Sequence, residues 1–136
     1  MPGCDDLEDA ALAAAFDALA IRPPDFRHRE HVRLAFALLS REGDLASAAV
    51  AYRTGLRRFA AAAGAAGKYH ETITWAYLAI IAERMQERAF GSSRELLAEH
   101  PDLLDHQRGA LARHYDVAEL IASPRARGTF VLPRKP

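Results

Sequence analysis

The chain has 136 residues, 50% of them apolar and 26% charged, a balance that fits a folded protein and excludes a disordered one. Such a length suits one domain spanning the whole chain, able to bury roughly two-thirds of its unfolded surface without disulfide or metal staples. Its 18 basic and 18 acidic side chains cancel, which excludes a global field for nucleic acid or anionic lipid, so any partner must be recognised locally.

The first helix is expected from about Asp6 to Leu19, with Asp5 as N-cap, Glu8 three residues on, and Leu12, Phe16 and Leu19 sharing a face. Pro23 and Pro24 stop it. A second helix is expected from about Arg27 to Arg41, with Val32, Ala35, Phe36, Leu38 and Leu39 on one side and Arg29, Glu30, Arg33, Ser40 and Arg41 on the other; Gly43 ends it. Asp44 then caps a third, about Leu45 to Ala63, with Leu45, Ala49, Tyr52, Leu56 and Phe59 inward and Arg53, Arg57 and Arg58 outward, broken by Gly64 and Gly67. The fourth runs from about Tyr69 to Phe90 and collects His70, Ile73, Thr74, Tyr77, Ile80, Ile81 and Met85 on its inner face, leaving Trp75 on the outer half. Beyond Gly91, Ser92 and Glu95 form a capping box for a short helix that Pro101 ends. Short helices are expected over about Asp102 to His114 and Asp116 to Ala122, before an extended tail from Gly128 to Pro136. No segment alternates with period two, so the fold class is all-α: a single-domain bundle of four longer helices closed by short C-terminal helices.

Cys4 is the only cysteine and can make no internal disulfide, which points to a reducing compartment. The early run Asp5, Asp6, Glu8, Asp9 and Asp17 is unlike the basic start of a secretory signal. No apolar stretch reaches the roughly 20 residues needed to cross a bilayer, and the reading is a cytoplasmic protein with no membrane partner.

Three histidines occupy inward helix positions. His28 and His31 are neighbours on one turn, with Cβ atoms expected roughly 5–6 Å apart, and His70 opens the fourth helix. In an up-down bundle the second and fourth helices point the same way, so their starts share one end and the imidazoles can converge. Three neutral imidazoles with an open position would form a catalytic metal site for zinc, copper, iron or nickel, with His28, His31 and His70 as ligands and Glu71 as the group that handles protons. Without a metal, His70 or His31 would act as acid or base and Lys68 would hold an anionic substrate. Tyr69, Tyr77 and His114 complete the expected substrate contacts. The competing reading is that these histidines only satisfy buried polar contacts in a non-catalytic ligand-binding or interaction module. His100 and His106, beside helix boundaries, read as structural.

Several familiar sites fail on spacing. Thr74 stands where a zinc protease of the H-E-x-x-H type needs its second histidine, and no paired Glu-x-x-His of a di-iron bundle occurs. The loop from Gly64 to Lys68 lacks the first glycine and the Ser or Thr of a P-loop, and G-x-S-x-G is absent. Arg125, Arg127, Arg134 and Lys135 read as a solvated basic end rather than a nucleic-acid footprint.

The segments Phe26-Arg27-His28-Arg29-Glu30-His31-Val32-Arg33-Leu34-Ala35 and Lys68-Tyr69-His70-Glu71-Thr72-Ile73-Thr74 resemble a group of small bacterial proteins of unassigned function that carry F-x-H-x-x-H-[VL]-R-x-A followed by K-Y-H-E-T-x-T. The likeness continues through Pro101-Asp102-Leu103-Leu104, His114-Tyr115 and Ser123 to Val131, and implies no particular activity.

Overall fold

The computed structural model describes residues 4–133; Arg134 and Lys135, in the expected basic tail, lie outside the described residues. Seven α-helices and no strand occur among those residues, an all-α fold. None of the helices is long and apolar enough to cross a membrane.

The chain enters through a 3-10 turn, Cys4–Asp6, and α1 spans Asp9–Asp17, shorter at both ends than its sequence pattern. The reason at the start is Arg33. Its Nη1 donates to the Cys4 carbonyl at 2.8 Å and its Nη2 to the Leu7 carbonyl, so both carbonyls bond to a side chain rather than serving a longer helix. At the other end Leu19 adopts φ 55° and turns its side chain toward solvent instead of extending the buried face.

Helix α2, His28–Glu42, is the axis of the molecule, packed against α1, α3, α4 and α5. That encirclement buries an unbroken run from Val32 to Leu39, so the polar face expected of α2 is only partly realised. Arg29, Ser40 and Arg41 are exposed, whereas Glu30 is buried and Arg33 is 0% exposed. Gly43, at φ 84°, ends the helix in the left-handed conformation that glycine tolerates best.

Asp44 caps α3, Leu45–Ala62, by accepting from the Ser47 amide at 2.8 Å. Leu45 is exposed, but Ala49, Tyr52 and Leu56 turn into the core. At Gly55 a Cβ would overlap the Phe16 ring, and the missing side chain is what lets α1 lie against α3. Helix α4, Glu71–Glu87, begins only after His70, and Trp75 on it is half-buried against the main core. Helix α5, Ser93–Glu99, starts at Ser92, whose hydroxyl accepts from the Glu95 amide at 3.2 Å.

The helix expected from Asp102 to His114 does not form. In its place are 3-10 turns at Pro101–Leu104 and Leu111–Arg113 joined by a compact loop. The Asp105 carboxylate accepts from the amides of Gln107 and Arg108 at 3.1 and 2.9 Å, drawing the backbone out of a helical path. Gly109 then packs on the carbonyls of Asp102 and Asp105, where a Cβ would clash.

Helices α6, Val117–Ala122, and α7, Pro124–Gly128, close the chain, and α7 occupies the stretch between the last expected short helix and the tail expected from Gly128. Ser123 and Pro124 explain it: the Ser123 hydroxyl accepts from the Ala126 amide at 3.1 Å and Pro124 fills the first helical position. Fully buried Thr72 anchors this region, its Oγ1 within 2.8 Å of the Ala126 carbonyl and accepting from the Val131 amide at 3.0 Å. A second, smaller apolar cluster of Tyr77, Leu111, Tyr115, Val117, Leu120 and Ala126 joins α4 to the C-terminal segment.

Candidate functional site

A cavity of about 490 Å³ opens where the starts of α2 and α4 meet the second half of α3. Its lining divides by chemistry. Phe26, Val32, Leu56, Phe59, Ala60 and Ile73 make an apolar wall; His28, His31, His70 and His106 contribute imidazoles; Tyr52, Tyr69 and Tyr77 contribute phenols. The exposed side chains of Arg27 and Lys68 belong to the same lining, which contains no carboxylate.

Local sequence explains the histidine positions. Pro23 and Pro24 set a 3-10 turn that delivers Phe26 into the core, and the Arg27 amide donates to the Glu30 carboxylate at 3.0 Å, starting α2 at His28. His28 Nε2 donates to the Leu103 carbonyl at 2.8 Å, leaving Nδ1 as an acceptor. Its ring lies 5.0 Å from Tyr77 and 4.9 Å from His106, centroid to centroid. Tyr77 and His106 are joined by a 3.0 Å hydrogen bond between the phenol and Nδ1. His31 stacks on Phe26 at 4.1 Å, and Phe26 meets Phe59 at 4.7 Å. Among the described residues no hydrogen bond reaches either ring nitrogen of His31, while the Tyr52 hydroxyl donates to its backbone carbonyl at 3.2 Å.

His70 lines the cavity but serves the backbone. Its Nδ1 accepts from the Ile73 amide at 3.1 Å, and Nε2 donates to the Leu120 carbonyl at 2.9 Å. It is therefore the N-cap of α4 and a tie to α6, with both nitrogens engaged. This corrects the expected ligand set: among the described residues no group of three or more His, Cys, Asp or Glu side chains could hold a metal ion. His28, His31 and His70 share a cavity without forming a metal centre.

Burial keeps these imidazoles neutral. His31 falls to about 4, through desolvation and the neighbouring His28 and His106. His28 and His106 are also lowered, by burial that outweighs the Leu103 carbonyl and Asp105 in the first case and Asp105 in the second. His70 is lowered for the same reason, against the pull of its bond to Leu120. The phenol of Tyr77 is pushed well up by burial, so its hydroxyl stays protonated.

Two expected site residues lie elsewhere. Glu71 does not line the cavity: Arg53 Nε spans its two oxygens at 2.9 and 3.0 Å and the Tyr69 hydroxyl donates at 2.6 Å. Burial alone would raise this carboxyl, but those hydrogen bonds hold it below the usual range, an ionised and fully occupied group unsuited to moving protons in the cavity. His114 is exposed on the C-terminal flank and lines a separate depression with Tyr115 and Phe130, because the turn Leu111–Arg113 carries it away from α4. Lys68, Tyr69 and Tyr77 do line the cavity.

His106 is the residue the sequence did not single out. The Asp105 and Gly109 turn signals flank it, but only the fold shows that this loop aims its histidine at Tyr77. Comparison of the chain with protein-family models, with curated proteins and with solved structures finds no match.

Proposed function

We propose that the protein binds a small organic anion with a flat apolar body in the histidine–tyrosine cavity. The observation that carries this reading is the lining itself: an aromatic and aliphatic wall, neutral imidazoles and protonated phenols, two cationic side chains and no carboxylate. The apolar wall suits a ring or short hydrocarbon skeleton, and Arg27 and Lys68 suit its negative end. A carboxylate beside His31 would also favour the imidazolium, so binding takes up a proton and tightens as pH falls toward the free imidazole's value of about 4.

A catalytic role draws support from the Tyr77–His106 hydrogen bond beside His28. With the protonated phenol donating to His106 Nδ1, the Tyr77 oxygen can take a proton from a bound substrate as it passes its own to that neutral imidazole, a metal-free proton relay ending on His106. His70, with both nitrogens engaged, has a positioning role in this scheme.

The test is a thermal-shift and calorimetric panel of aromatic carboxylates with their neutral amides as controls. The carboxylates should raise the melting temperature more than the amides, bind more tightly at pH 5 than at pH 7, and lose the preference in Lys68→Met. A panel in which amides and acids behave alike, or in which His31→Phe leaves every shift unchanged, would refute the reading.

A further inference from the structure

Tyr69 lines a second depression, of about 530 Å³, together with Arg53, Arg57, Arg58, Arg127 and Glu71. We propose that this arginine cluster is a binding site for the phosphoryl group of a phosphorylated small molecule, separate from the histidine cavity.

Charge is the first argument. In a chain whose acidic and basic residues balance, four guanidinium groups here face a single carboxylate. Arg53 and Arg57 are four residues apart on α3, and Glu71, among the described residues the one carboxylate beside them, is bonded to Arg53, so Arg57 and Arg58 keep their charge without a bonded anion of their own. The fold adds a further cation rather than removing one. Arg127 is no solvated end: its Nη1 donates to the carbonyls of Gly67 and Lys68 at 3.2 and 3.1 Å, and its Nη2 to that of Ile121 at 3.0 Å. Three backbone contacts thus hold this guanidinium against the loop that borders the depression.

Donor capacity is the second argument. Glu71 engages the Nε of Arg53 and Tyr69 joins the same network, so Arg53 is the member of the cluster that already has an anion beside it. Arg57 lies over the Tyr69 ring at 5.9 Å, and among the described residues neither it nor Arg58 donates a hydrogen bond to protein. Planar guanidinium forks of this kind match the oxygens of a phosphoryl group in pairs. The space over Gly67 is open, giving the ligand room beside the loop. A depression of this size holds a small molecule, and the neutral net charge argues against a polyanion track.

The experiment is isothermal titration of the full chain with pyrophosphate, inorganic phosphate and acetate at fixed ionic strength. Saturable one-site binding of pyrophosphate is expected, tighter than phosphate, with acetate inert. The variant Arg57→Gln/Arg58→Gln, both exposed positions, should fold normally by circular dichroism and bind pyrophosphate at least about ten-fold more weakly, the loss expected for charge-assisted hydrogen bonds. Arg22→Gln/Arg29→Gln removes the same charge from exposed positions elsewhere and should leave binding unchanged, as should Lys68→Met in the histidine cavity. Three results would overturn the proposal: no saturable pyrophosphate binding, equal losses in the two double variants, or loss on Lys68→Met with none on Arg57→Gln/Arg58→Gln. Tighter binding of a single-stranded oligonucleotide than of pyrophosphate would overturn the small-molecule class.

Discussion

Replacing Arg33 with methionine should unfold this protein more readily than any surface change, although the sequence pattern places Arg33 on a polar face. The guanidinium is completely buried and bonds to the Cys4 carbonyl, the Leu7 carbonyl and the Ser93 hydroxyl, with Asp9 at 3.5 Å. Methionine keeps most of the stem volume but strands those acceptors, each at about 1–3 kcal/mol if nothing replaces the donor. Two of them retain partial compensation: the Cys4 carbonyl also accepts from the Leu7 amide at 3.1 Å, and Asp9 still accepts from the Ser93 amide at 2.7 Å. The net loss is therefore about 3–5 kcal/mol, the range seen when one partner of a buried ion pair is removed. For a domain of this size that lowers the melting temperature by roughly 10–15 °C. Urea denaturation followed by circular dichroism measures it, with the m-value expected to hold steady. Arg33→Lys should fall between wild type and Arg33→Met, since lysine supplies the charge without the fork. A loss below about 1 kcal/mol in Arg33→Met would refute the reasoning that this side chain ties the N-terminal turn and α5 to α2.

Four further outcomes are expected. His31 is buried neutral, so its folded value of about 4 lies below the ordinary 6.5; stability should be constant above that ordinary value and fall as pH drops through the window between the two, where only the unfolded chain takes up the proton. His28, His70 and His106 shift the same way, and urea melts at pH 7 and 5 should show a smaller drop in His31→Phe than in wild type. His70→Ala removes both the cap on Ile73 and the bond to Leu120 and should lose about 2–3 kcal/mol, whereas His70→Asn keeps the cap and should lose about 1 kcal/mol; equal losses would show that capping is not its role. Gly55→Ala gains about 1 kcal/mol of helix propensity but drives a methyl into the Phe16 ring, so the chemical-denaturation midpoint should fall rather than rise. Chelation with EDTA should leave the melting temperature unchanged; a drop of several degrees would restore the three-histidine metal centre.

Helix existence was legible because periodicity, caps and breakers are local. Asp44 and Ser92 cap helices where their side chains said they would, and Gly43 ends α2. Inward positions such as Ala49, Tyr52, Leu56, Tyr77 and Ile81 followed from the same pattern. That His28, His31 and His70 line one cavity was also legible, since α2 and α4 carry their starts to the same place. What each imidazole does there was not. Whether a histidine ligates, caps or stacks depends on which carbonyl, amide or ring meets it, and for His70 the Leu120 carbonyl comes from fifty residues away. The same limit hid Arg33 and His106. A helix packed against four others buries polar positions that a single amphipathic stripe would expose, and a loop turned by Asp105 and Gly109 selects a histidine that no repeat marks. Sequence by itself determined the longer helices and most of their buried faces, because those depend on residues within a turn or two. Tertiary structure alone decided the hydrogen-bond partners of the buried polar groups, because desolvation forces each to find a complement wherever packing provides one.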